Sequence, residues 1–313
     1  MRDSSPKLSV IIPAYNEEQR LPRTVACICG YLSTHHPDAE VIVVDDGSQD
    51  ATARIVAEWQ PQFPGLRLVS NGRNRGKGYS VRHGMLEARG RVALFTDADL
   101  SFPIGEAEKL LAALEGADIA IGSRSLDRSL MEVRPPRLRE LAGFIFNKLV
   151  QLFVGVRFRD TQCGLKAFVR ERTQILFQQQ RIEGWTFDPE ILFLAGRYGL
   201  RVVEIPVRSK HDLGTKFQLL RDCWRMFLDL LLIRWNWLAG RYPRWREAQA
   251  KAPLLPLSEA PTAAATATVS ATKIEPLHPS PASQFGMGAT HKIRRRDAGG
   301  YPPRAASGEI WSE

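Results

Sequence analysis

The chain is poor in the features that most readily fix a protein's class. Only four of its 313 residues are cysteine, Cys27, Cys29, Cys163 and Cys223, and their spacing matches neither a zinc ribbon nor a CxxC redox pair. They read as reduced core or helix residues, which suits a cytosolic face. No run of about 18 uncharged apolar residues occurs, which argues against a spanning helix. The opening stretch "MRDSSPKLSV" enters a strand-like run within ten residues, so no signal or transit segment is expected there. Acidic residues are outnumbered, 34 against 43 Lys and Arg, leaving a formal charge of +9. That surplus asks for an anionic partner: nucleotide phosphates, a membrane surface or a nucleic acid.

What is present is an alternation. "LSVIIPAY", "AEVIVVDD", "LRLVS", "RVALFTD" and "ADIAIGS" read as short, mostly buried strands. Between them Leu21–Thr34, Ala51–Gln60, Gly76–Arg89 and Ile104–Leu114 read as helices. Such alternation predicts right-handed βαβ units, hence an α/β fold with a mainly parallel sheet. Ligands then bind beyond the carboxyl ends of the strands. "YNEE", "DDGS", "TDADL" and "GSR" all fall at those ends.

After Arg124 the pattern changes. Leu141–Val156 is strongly apolar with one charge, Lys148. Phe217–Gly240 is a long helix candidate with Gln218, Asp222, Arg225, Asp229 and Asn236 near one face. Leu220, Trp224, Phe227, Leu231, Trp235 and Leu238 line another. This amphipathic helix with aromatic and arginine rims suits the interface plane of a bilayer; packing on its own domain is the alternative. The reading divides the chain into a catalytic domain over 1–216, an amphipathic, membrane-associated segment over 217–246 and an Ala/Pro/Thr-rich tail over 247–313. The tail's composition cannot bury enough apolar surface to offset chain entropy and is expected to be disordered. Its basic "HKIRRRD" reads as solvated.

Four motifs carry chemistry. In "VVDDGSQD" a carboxylate at a strand end is placed to accept from a nucleobase, or only to cap and turn. Gly47 permits the tight turn, and Ser48 or Asp50 suits a helix start. "NGRNRGKGYS" resembles a phosphate loop in composition without the GxxxxGK[ST] spacing, and its Lys77 is placed to meet a phosphate. "TDADL" sets Asp97 and Asp99 one residue apart on a non-helical rim. A turn accounts for such a pair, but so does a shared hard cation, Mg²⁺ or Mn²⁺, bridging a diphosphate.

The segments "VIIPAYNEE", "VIVVDDGSQD", "NRGKGYSVRHG", "TDADL", "IGSR", "DTQCGLKAF" and "GWTFDPEIL" occur in the order seen in family-2 glycosyltransferases. The chain resembles their polyprenyl-phosphate hexosyltransferase branch, and its dolichyl-phosphate glucosyl group in particular, from about Leu8 to Gly240. The resemblance implies a GT-A nucleotide-sugar fold, a nucleotide-sugar donor, a polyprenyl or dolichyl phosphate acceptor and a divalent metal. It also implies peripheral attachment to the cytoplasmic face of a membrane. Nucleic acid is not an expected partner.

Carried over by position, Pro13, Tyr15 and Glu17 would cradle the nucleoside and Asp46 would read the base edge. Lys77, Asp97 and Asp99 would hold the sugar nucleotide, the two aspartates through the metal. Arg124, Arg137 and Lys216 would meet the acceptor phosphate, with Arg134 and Arg139 offsetting charge nearby. Gln162 and Trp185 would line the sugar and acceptor side. Asp99, Arg124, Asp160 and Asp188 would form the catalytic set. The alternatives are a surface ion pair for Arg124 and core packing for Trp185.

One departure from the mannosyl relatives, Ser101 where they often carry glutamine, leans toward UDP-glucose over GDP-mannose. A processive polysaccharide synthase is disfavoured by the missing QxxRW motif. A non-catalytic nucleotide-sugar or membrane-binding module is disfavoured by the intact Asp97 and Asp99.

Overall fold

The computed structural model describes residues 6–133, 136–210 and 219–243. The five strands expected from the apolar runs are present: β1 (Leu8–Ala14), β2 (Glu40–Asp45), β3 (Leu66–Ser70), β4 (Val92–Thr96) and β5 (Ile119–Ser123). The helices between them are α1 (Leu21–His35), α2 (Thr52–Trp59), α3 (Lys77–Glu87) and α4 (Ala107–Ala113), the last preceded by a 3₁₀ turn, Ile104–Glu106. A short strand β6 (Met131–Val133) then leads to α5 (Arg137–Phe153). Next come β7 (Leu165–Val169), α6 (Arg170–Gln179), α7 (Phe187–Arg197), β8 (Val202–Pro206), β9 (Ser209–Lys210) and α8 (Leu219–Leu238).

The main sheet has seven strands in the order β3-β2-β1-β4-β7-β5-β8, and β6 pairs with β9 separately. All pairings in the main sheet are parallel except those of β7, which runs antiparallel between β4 and β5. Strand side chains alternate between two cores. Ile11, Ile42, Val44, Phe95 and Ile121 face α3, α6 and α7. Val10, Ile12, Val41, Val43 and Leu94 face α1 and α2. The product is three layers, with helices on both faces of a mixed, mostly parallel sheet.

Strands β7 and β8 are not legible as apolar runs. Lys166 breaks the apolar run at the second residue of β7, although it is only 2% exposed.

The long C-terminal helix lies in the same compact unit as the sheet. Met226, Leu230 and Ile233 of α8 join the first core, as do Phe146 and Val150 of α5, and the Phe153 and Phe227 rings meet edge to face at 5.6 Å. Yet both helices are apolar outside as well. Of thirteen large apolar side chains exposed among the described residues, eleven belong to α5 and α8. Two polar residues of α8 turn inward, Asn236 buried and Asp229 half-buried, while Arg221 and Arg225 are exposed. Among the described residues no helix is long and apolar enough to cross a membrane. Arg134, Lys216 and the 247–313 tail lie outside the described residues.

The two faces of α8 should separate in mutagenesis. Leu230→Ala, at 0% exposure, should cost about 3 kcal/mol, and Leu231→Ala on the outer face under about 1 kcal/mol. Denaturant melts measure both; equal losses would contradict this seating of the helix.

Candidate nucleotide-sugar site

Parallel strands point their carboxyl ends to one rim. The loops after β1, β2, β4 and β5 therefore gather beside the switch point between β1 and β4. Because β7 is antiparallel, its entrance lies on that same rim. The register Thr96↔Leu165 sets Gly164 of "DTQCG" against Asp97 of "TDADL". A Cβ added at Gly164 would stand 2.0 Å from Asp97 Oδ2, so only glycine admits the carboxylate there.

The "TDADL" turn is strained. Leu100 adopts φ +52°, a left-handed conformation unusual for a branched side chain. The turn lets Ser101 N–H donate to Asp99 Oδ1 at 2.9 Å. Burial, and then the neighbouring Asp97 charge, push the Asp99 carboxyl above its ordinary range. Lys77, the first residue of α3, places Nζ 2.6 Å from Asp97 Oδ1. Burial works against its ammonium, but Asp97 and Asp188 outweigh it and raise the Lys77 pKa.

Two further ion pairs close the acidic side. Lys166 Nζ lies 2.6 Å from Asp188 Oδ1 and donates to the Cys163 carbonyl. Burial still leaves the Asp188 carboxyl raised, against the pull of Lys166 and Lys77. Breaking such a pair by removing one partner costs about 3–5 kcal/mol, so Lys166 is needed if Asp188 is to stay ionised. Arg124 grips Asp160 in a bidentate pair, Nε to Oδ2 at 2.7 Å and Nη2 to Oδ1 at 2.8 Å. Burial opposes the Asp160 charge, yet Arg124 holds its carboxyl below the usual range. Glu204 of β8 fixes the strap by accepting from the Arg159 and Asp160 amides.

Trp185 is 38% exposed, not packed in a core. Its ring lies 5.2 Å from Lys77 Nζ, and its carbonyl accepts from Gln162 Nε2 at 3.2 Å. The structure thus gathers Lys77, Asp97, Asp99, Asp188, Trp185 and Gln162 on one rim, with Asp160 and Arg124 beside them.

Beside β1 and β2 the loops that follow them are stitched together. Asn16, at φ +52°, accepts from the Gln49 amide, and its own N–H donates to Ser48 Oγ. Glu17 takes Arg20 in two short bonds. A cleft of about 470 Å³ runs along Asn16–Arg20, Gln49 and Asp50. Tyr15 and Pro13 are half-buried at the end of β1.

Further contacts were not visible in the sequence. Asp46 accepts from Asn71 Nδ2, Arg75 N–H and Gly76 N–H at 2.7–2.9 Å. Both its oxygens thereby anchor the loop leading into Lys77. Arg137 is exposed at the start of α5. Arg139, two residues on, is the one near enough to Arg124 for repulsion, after burial, to lower its pKa. Lys166 and Gly164 drew no role from the sequence, although an isolated lysine inside "GLKAF" was the available signal.

Among the described residues, no three His, Cys, Asp or Glu side chains form a self-sufficient metal cage. Asp97 and Asp99 nevertheless fit a divalent ion shared with a ligand. They are two hard oxygen donors whose mutual repulsion a cation relieves, as the Lys77 ammonium does at Asp97.

Gly164→Ala should therefore disable the site while sparing the fold. Asp97 would have to rotate off Lys77, and transfer should fall by about 100-fold or more. Turnover and melting temperature measure this; near wild-type turnover would contradict the placement.

Comparison with known proteins identifies the family. A family model described as glycosyl transferase family 2 matches residues 9–181. The chain is 40% identical over 257 residues to a dolichyl-phosphate beta-glucosyltransferase of Drosophila melanogaster, covering 77% of this chain and 78% of the relative. It is 34% identical over 260 residues to a dolichyl-phosphate beta-glucosyltransferase of Homo sapiens, covering 78% and 79%. Its fold is similar to that of glucosyl-3-phosphoglycerate synthase from Mycobacterium tuberculosis, solved with Mn²⁺ and uridine-diphosphate-glucose. That match has TM-score 0.51 and 21% identity, and covers 76% of this chain and 80% of the other. The GT-A arrangement is common to both, and the chain belongs to glycosyl transferase family 2.

Proposed function

We propose that the protein transfers glucose from UDP-glucose to dolichyl or polyprenyl phosphate, working at the cytoplasmic face of a membrane. The observation that carries this reading is the apolar outer surface of α5 and α8, since α5 also brings Arg139 beside the Arg124–Asp160 pair. Exposed apolar area on this scale marks a docking surface, and helices with aromatic rims suit the headgroup boundary. The relatives named above supply the acceptor and sugar class.

The acceptor phosphate monoester is anionic and nucleophilic near neutral pH, so no strong general base is required. One of its oxygens attacks the anomeric carbon as the bond to the nucleotide diphosphate breaks. The bonding pair leaves with the diphosphate, and direct displacement turns an α-linked donor into a β-linked product. Arg124, oriented by Asp160, meets the acceptor phosphate with Arg139 close by. Lys77 faces the diphosphate. Asp188, kept ionised by Lys166, lines the sugar side with Gln162 and Trp185. Asp97 and Asp99 would hold Mg²⁺ or Mn²⁺, which supplies positive charge for the leaving diphosphate. The protein's part is alignment and preorganised charge.

Purified protein supplied with dolichyl phosphate vesicles, Mn²⁺ and either UDP-glucose or GDP-mannose should yield lipid-linked hexose from UDP-glucose alone, read by mass spectrometry. Product from GDP-mannose alone would overturn the donor assignment, and product from neither would overturn the reaction. Separately, replacing Trp224 and Trp235 together with Gln should weaken vesicle co-sedimentation by about tenfold. Unchanged sedimentation would remove α8 from the membrane contact.

A further inference from the structure

Glu190 takes no part in the rim described above, yet it is 0% exposed and sits on α7 two residues beyond Asp188. Its carboxyl oxygens accept the N–H of Arg181 at 2.9 and 3.1 Å and the N–H of Ile182 at 2.9 Å. The hydroxyl of Tyr242, just past α8, donates to the same group. A buried carboxyl with this many donors is built to hold something. What it holds is the segment 180–186 between α6 and α7.

That segment lies directly on the entrance of α3. The Tyr79 amide donates to the Glu183 carbonyl at 3.1 Å, and Arg75 pairs with the Glu183 carboxylate at 2.6 Å. Gln180 Nε2 donates to the Gly78 carbonyl at 2.8 Å. The approach is close: a Cβ at Gly78 would stand 2.7 Å from the Gly184 carbonyl oxygen. Lys77 is enclosed by these contacts, with the Trp185 ring 5.2 Å from its ammonium and Asp97 on its other side. A shift of the segment would therefore move Lys77 off the carboxylate.

The far side of the segment is braced by the end of α8. Arg181 Nη2 donates to the Arg241 carbonyl at 2.8 Å, and Arg241 Nη1 donates to Asn236 Oδ1 at 3.1 Å. Asp229 lies near Gly184. Asn236 and Asp229, on the inner side of α8 beside Met226, Leu230 and Ile233, thus face this segment.

We propose that Glu190, locked by Tyr242, is a positioning residue for the donor. It fixes the segment 180–186, and so seats Lys77 and Trp185 against Asp97 where the diphosphate binds. This rests on the nucleotide-sugar reading above. Burial also pushes the Glu190 carboxyl up to about 7, so the Tyr242 and amide donors are what keep it an acceptor at neutral pH. Arg181 is the charged group near it, and Tyr242 is the titratable one.

The test is calorimetric titration of UDP with Mn²⁺ into the full chain, as wild type, Glu190→Ala, Glu190→Gln and Tyr242→Phe. Glutamine keeps a carbonyl oxygen for the two amides and should bind within about twofold of wild type. Alanine should weaken affinity by about tenfold and Tyr242→Phe by about threefold. A merely structural role would lower the binding stoichiometry, as unfolded protein accumulates, and leave the affinity of the folded fraction unchanged. Wild-type affinity in Glu190→Ala or, should that variant fail to fold, in Tyr242→Phe would overturn the proposal. No binding of UDP to the wild type would instead remove the donor reading, and the proposal with it.

Discussion

Four carboxylates, those of Asp97, Asp99, Asp160 and Asp188, share one rim of the sheet, and each raises the cost of ionising its neighbours. The structure meets this with a cation for nearly every acid. Lys77 faces Asp97, Lys166 faces Asp188, and Arg124 grips Asp160. Only Asp99 is left to a backbone amide, and burial raises its carboxyl accordingly. A site with one under-compensated acid next to a paired one is poised to take a divalent ion along with an anionic ligand. Most of the remaining architecture can be understood as the means of bringing these groups together.

The antiparallel β7 is the main such device. Were β7 parallel to its neighbours, "DTQCG" would enter at the opposite end of the sheet, and Asp160, Gly164 and Lys166 would never meet "TDADL". The register of β7 on β4 places Gly164 where no side chain can intrude on Asp97. The buried Lys166 reaches Asp188 across the same strand. A lysine at the centre of a sheet is costly unless fully paired, and here its partner is part of the site.

The parallel half of the fold was legible because its strands are uninterrupted apolar runs ending in polar motifs. "LSVIIPA" and "EVIVVD" have nearly every residue buried, and such runs leave no doubt about period or length. The "TDADL" motif was likewise visible as residue types at a strand end, whereas "DTQCG" stood out only through the family resemblance. Pairings were not. Nothing local in the sequence says that Asp46 gives both oxygens to the 71–76 loop, or that Arg139 comes within reach of the Arg124 charge. Those outcomes depend on which loops fold back onto which strands. Helix α8 shows the same limit: its amphipathic character was readable, but not that Asn236 and Asp229 turn inward toward the 180–186 segment.

We propose that Asp97 and Asp99 hold a metal–diphosphate complex beside Lys77. Crystals grown with UDP and Mn²⁺, with data collected at the manganese absorption edge, should show an anomalous peak within coordination distance of both carboxylates, about 2.0–2.3 Å from oxygen, with the diphosphate on the Lys77 side. A manganese peak bound elsewhere, with Asp97 still paired only to Lys77, would contradict it.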